Sequence, residues 1–111
     1  MMQRLNRLLN LTPDQKVQAK TIFQGARTTA QPLRQQMRDA RLALANAVKS
    51  NAPDAQIDQL SNNTGTLAAQ LTALRAKSFE KFYNILTPDQ KEKLSGAMDQ
   101  FFPGQAARPA A

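Results

Sequence analysis

Cysteine, histidine and tryptophan are all absent from this 111-residue chain. Without cysteine there is no disulfide, no thiol nucleophile and no thiolate metal site, although the compartment stays open. Without histidine, the usual general acid–base and the commonest metal ligand are both missing. Glycine is scarce and Tyr83 is the only tyrosine, so there is no Gly-rich phosphate loop and little aromatic surface for stacking bases. No stretch approaches the ~20 apolar residues of a membrane-spanning helix. Met1–Asn10 lacks the apolar centre of a secretory leader. Only 28 residues are Leu, Ile, Val, Met, Phe or Tyr, against 18 Ala, so the core must be thin and made of slender helix contacts. Few β-branched runs are present, and an all-α reading follows: one domain over residues 1–103 and a disordered Ala/Pro-rich tail over 104–111.

What the chain does have is a repeat. Leu-Thr-Pro-Asp-Gln-Lys occurs at Leu11–Lys16 and again at Leu86–Lys91. Thr12 and Thr87 suit helix N-caps, and Gln15 and Gln90, three residues on, supply the other half of a capping box. Pro13 and Pro88 fall at the first helical position, where a missing N–H costs nothing. Asp14 and Asp89 follow in the first turn, where the helix dipole favours negative charge. Two helices therefore begin with the same device.

Charge is distributed unevenly. Residues 1–50 carry nine Lys/Arg against Asp14 and Asp39, whereas residues 51–111 carry six of each sign, so the whole net charge of +7 belongs to the first half. Such a surface suits acidic or unfolded partners, membranes or nucleic acid.

The periodicity predicts a short amphipathic segment over Met2–Leu9, with Leu5, Leu8 and Leu9 on one side. A first full helix follows from about Pro13 to Ala30, with Val17, Phe23 and Ala30 as its loose apolar side. Pro32 disfavours helix at Gln31 and opens a second helix to Lys49, with a stripe of Leu33, Met37, Ala40, Leu44 and Val48. Ser50–Asp54 is the clearest turn. A long third helix runs from Asp54 to Ile85 with a heptad-like seam from Ile57 to Ile85, longer than a compact globule and bent near Asn62–Gly65. The fourth opens at Pro88, carries Leu94, Met98, Phe101 and Phe102, and stops at Pro103-Gly104. The expected shape is an elongated, bent hairpin of four helices whose seam needs a partner chain.

No catalytic constellation is present: no nucleophile has a base, and no metal cluster forms, so neither an enzyme nor a cofactor is expected. Asp54 and Asp58 serve the dipole of a helix start. Met37 and Met98 read as core filler. The basic stripe carries more information. Arg34, Arg38 and Arg41 fall at i, i+4 and i+7, with Lys16, Lys20 and Arg27 similarly arranged upstream, and Asp39 is the only acid between residues 15 and 53. A stripe so poorly paired repels itself and makes more sense with something bound. Few aromatics and no DNA-reading pattern argue against nucleic acid.

The paired Leu-Thr-x-x-Gln motifs resemble those of the Spy/CpxP family of periplasmic proteins. Leu9–Lys16 is similar to the family's first motif. Tyr83-Asn84-Ile85-Leu86-Thr87-Pro88-Asp89-Gln90-Lys91 is similar to the second, most closely in the Spy branch. The likeness covers about residues 5–102. It implies a four-helix fold that dimerises, antiparallel, into a cradle, and a Gram-negative periplasm reached by a leader since removed. For the Spy branch it implies an ATP-independent chaperone whose concave face mixes positive charge with apolar patches. On that reading Arg27, Arg34, Arg38, Arg41 and Lys20 attract unfolded or partly folded clients, and partly exposed Leu33 and Met37 hold them. Thr12, Gln15, Thr87 and Gln90 are structural. Metal-responsive members of the family bind largely through histidine, which is absent here. Other members restrain a sensor kinase, so a regulatory protein docking on a sensor domain is the alternative.

Overall fold

The computed structural model describes residues 2–101. They form four helices, α1 (Met2–Leu9), α2 (Pro13–Lys49), α3 (Asp54–Asn84) and α4 (Pro88–Phe101), and no strand occurs among the described residues. The expected tail 104–111, the Pro103-Gly104 stop, Phe102 and the side chain of Phe101 lie outside the described residues. Two compact units emerge. One joins the chain up to Thr21 with the chain from Glu80 onward, and the other is Ile22–Phe79.

The largest departure from the sequence reading is at Pro32. The two helices expected on either side of it are one 37-residue helix, α2, which is longer than the 31-residue α3. Proline at this position removes an N–H, leaves the Thr28 carbonyl without its helical donor, and disfavours the helical conformation of Gln31. Thr28, Thr29, Gln31 and Pro32 are all exposed, so water can hydrate the freed carbonyl. Packing on the opposite side of the same turns, at Ala30, Leu33 and Met37, holds the helix through the defect. Local preference loses to tertiary contact.

Helix ends follow local chemistry. α1 stops at Asn10, which takes a left-handed φ of 53° and donates its N–H to the Asn6 carbonyl at 2.7 Å. α2 ends in a Schellman motif: Asn51 has φ 56°, its N–H reaches the Val48 carbonyl at 3.2 Å, and the Ala52 N–H reaches the Ala47 carbonyl at 2.9 Å. Pro53 then accepts from Gln56 and Ile57, which starts α3 where the turn reading placed it.

In the unit built from the two chain ends, α1 packs on α4. Leu5, Leu9, Leu11, Ala19, Phe82, Leu86 and Leu94 are buried. Val17, expected inside, is exposed, because the buried positions of this part of α2 are Gln15 and Ala19, one turn apart. In the Ile22–Phe79 unit, Met37, Ala40 and Leu67 form the buried centre, with Leu33 and Leu71 against it. Phe23 and Phe79 meet edge to face at 5.5 Å. Val48, expected on the α2 stripe, is exposed, and Ala47 is buried in its place, which keeps the spacing alternating between three and four.

α3 is helical without interruption through Asn62–Gly65, so a full break there is excluded. Its two polar seam positions satisfy themselves. Thr64 donates to the Leu60 carbonyl at 3.0 Å and Ser78 to that of Leu74 at 2.8 Å.

Because Pro32 is exposed and only disturbs the helix it sits in, Pro32→Ala should raise stability, by up to ~3 kcal/mol. Urea unfolding reads this directly; a lower midpoint would show that α2 needs its interruption.

Candidate functional site

α2 sets out the basic residues. At about 100° per residue, Arg27, Arg34, Arg38, Arg41 and Lys49 of the Ile22–Phe79 unit fall within an arc of about 80° on one flank of the helix, beside its buried stripe. Arg27, Arg34 and Arg41 repeat at seven residues, about 10.5 Å apart along the axis. All five are exposed. None makes an ion pair among the described residues. Arg38 donates instead to the Gln35 amide oxygen at 2.7 Å, and the amide nitrogen of Gln35 reaches Asp39 at 3.1 Å. The one acid in this stretch of α2 is therefore held by a neutral amide. Lys20 belongs to the other unit and is exposed there.

The two apolar candidates part company. Leu33 is half-buried, but Met37, expected to be partly exposed, keeps only 6% of its surface and sits against Ala40 and Leu67. It is a core side chain because it occupies the middle of the α2 stripe. Sequence reasoning passed over Leu42, put Val48 on the buried stripe and left Lys49 out of the basic stripe; Leu42 and Val48 are 61% and 65% exposed.

The four motif residues converge on one arrangement, with the two glutamines buried and the two threonines exposed. Locally each motif makes its capping box. The Thr12 N–H donates to Gln15 Oε1 at 3.0 Å and the Gln15 N–H to Thr12 Oγ1 at 3.1 Å. The Thr87 and Gln90 equivalents are 2.9 and 3.3 Å. The two glutamine side chains then pair with each other across 75 residues. Gln15 Nε2 donates to Gln90 Oε1 at 2.7 Å, and Gln90 Nε2 donates to Gln15 Oε1 at 3.0 Å. The second hydrogen of each amide crosses to the helix end preceding the other motif: Gln15 to the Ile85 carbonyl at 3.0 Å, Gln90 to the Leu9 carbonyl at 3.2 Å. Each amide thus uses both donors and both lone pairs. It caps one helix start and covers an orphan carbonyl at the end of another helix. Gln15 and Gln90 are only 7% and 8% exposed, a burial made tolerable by this complete satisfaction. Nearby, Lys91 Nζ lies 5.3 Å from the Tyr83 ring centroid.

A capping box accepts Glu as readily as Gln, but this pairing does not, because a carboxylate has no N–H to give. Gln15→Glu keeps the Thr12 cap and buries a charge facing acceptor oxygens. The expected loss is ~2–4 kcal/mol at neutral pH. Burial raises the new carboxyl above its unfolded value, so protonation favours the fold, and the loss should shrink as pH falls toward the ordinary glutamate range. Denaturant titrations of parent and variant at several pH values test this. A deficit independent of pH would mean that the charge is not what disrupts the pair.

The geometry has a counterpart among known sequences. A family model described as LTXXQ motif family protein matches residues 1–98. No curated protein and no solved structure matches the chain. No helix among the described residues is long and apolar enough to cross a membrane. The interlocked Leu-Thr-x-x-Gln motifs and a match over nearly the whole chain lead to one conclusion: this protein belongs to the LTXXQ motif family, the family that defines Spy/CpxP-like proteins.

Proposed function

We propose that this protein is an ATP-independent periplasmic chaperone that binds unfolded or partly folded proteins and suppresses their aggregation. The observation that carries the reading is the basic flank of α2. Arg27, Arg34, Arg38 and Arg41 are exposed and without acidic partners among the described residues, and half-buried Leu33 lies beside them. Unpaired arginines attract acidic segments over a Debye length of ~8 Å. Leu33 then offers a weak apolar hold, with Met37 supporting it from the core side. Lys20 contributes to the same attraction in its own unit. Contacts of this kind are weak and numerous, so a client can fold while bound. Nothing in the proposal requires a catalytic step, a nucleotide or a metal.

The proposal includes a homodimer, supported by the incomplete burial of Leu33, Leu44, Ile57, Leu60, Leu71 and Leu74 in the Ile22–Phe79 unit. Sedimentation equilibrium should give the mass of two chains; one-chain mass at assay concentration would remove the cradle from the reading.

The basic flank also fits one acidic surface on a sensor domain, which is the regulatory alternative. Client breadth separates the two. Light scattering of two unrelated aggregating proteins, without ATP, should fall for both when the protein is added near stoichiometry. Arg34→Glu with Arg38→Glu should weaken suppression severalfold and flatten its salt dependence. Suppression of neither client would favour the regulator, and full activity in the double variant would move the site elsewhere.

A further inference from the structure

Leu42 and Val48 are large apolar side chains on the outside of α2, and both stand among cations. Arg38, Leu42, Ala45 and Lys49 follow one another at four, three and four residues, and Arg41, Ala45 and Val48 at four and three, so the two rows share a face. All six are exposed. The face spans about 120°, shares Arg38, Arg41 and Lys49 with the basic flank, and on one side adjoins the buried stripe, with Val48 about 20° from Met37. Asp39 lies about 120° from its centre and is engaged by Gln35.

We infer that this outer face of α2, near its C-terminal end, docks the protein on an anionic lipid surface. Three cations bracket three apolar side chains on one helix face. Long Arg and Lys side chains can lay their aliphatic stems along Leu42 and Val48 while their heads meet lipid phosphates, the disposition of an interfacial helix. Charge complementarity requires an anionic occupant. The apolar residues favour a lipid surface over a phosphate polymer, which offers them nothing. The face has no aromatic anchor and few apolar atoms, so the docking is peripheral and reversible by salt. The inference does not depend on chaperone activity; because the face includes Arg38 and Arg41 of the basic flank, lipid and client compete for them.

The test is sedimentation of the full chain with vesicles of phosphatidylglycerol and phosphatidylethanolamine, or of phosphatidylcholine alone, at low and physiological salt. The protein should partition onto the anionic vesicles and not onto the zwitterionic ones. Arg38→Gln with Lys49→Gln should lower partition about 25-fold, two cations at about fivefold each. Leu42→Asn with Val48→Asn, which keeps every charge, should lower it about tenfold. All four positions are exposed, and circular dichroism checks that the variants stay helical. Equal binding to both vesicle types, or an unchanged Leu42/Val48 variant, overturns the proposal. Capture of soluble polyglutamate with anionic vesicles ignored would equally overturn it, and would make the face a site for acidic polypeptide.

Discussion

The paired amides of Gln15 and Gln90 close the unit formed by the two ends of the chain. A buried primary amide is costly unless all its hydrogen-bonding capacity is used, and this pair meets that condition by reaching four helix ends at once. Two of those ends are starts, at Thr12 and Thr87, and two are finishes, at Leu9 and Ile85. The apolar side chains of the unit, Leu5, Leu9, Phe82 and Leu94, supply bulk hydrophobic stabilisation but no directional preference. The amides supply direction. They fix which helix start faces which helix finish, something that packing of leucines leaves loosely specified.

The Ile22–Phe79 unit works on a different principle. Its centre is small, with Met37, Ala40 and Leu67 buried and much of the flanking apolar surface only half covered. Polar seam residues Thr64 and Ser78 neutralise their own hydroxyls against their own helix, so they neither demand a partner nor break the surface. The result is a hairpin with apolar surface to spare and cations along one flank. On the proposed function, a fully packed core would leave nothing for a client, and a fully paired surface nothing to attract one.

Much of this was legible in the residues. The capping boxes, the turn at Ser50–Asp54 and the seam of α3 follow from spacing and backbone chemistry that act over four or five positions. Pro32 was misread because the cost of proline in a helix is a local quantity, whereas the contacts of Ala30, Leu33 and Met37 that override it are not. Val17 and Val48 looked apolar enough to be inside; their places are taken by Ala19 and Ala47, whose register is set by the facing helix. The amide pair itself was hidden because either motif is complete as a capping box. Only the choice of glutamine in both copies, where glutamate would cap as well, hinted at a further demand. Met37 was read from its spacing as core filler and from the resemblance as a partly exposed contact; its place in the middle of the α2 stripe makes the first reading right.

The 75 residues separating Gln15 from Gln90 also have a consequence for how the chain acquires its structure. The Ile22–Phe79 unit lies wholly within that interval, and its hairpin joins segments connected by a short turn. Closing a long flexible loop is entropically more demanding than closing a short one, and contacts distant in sequence form slowly. Once α2 and α3 have come together, the chain between the two glutamines is no longer flexible, and much of that entropy has already been surrendered. The topology therefore favours one order of assembly: hairpin first, clasp last. During synthesis the first motif emerges long before the second, and its amide stays hydrated until Gln90 is present to replace the water.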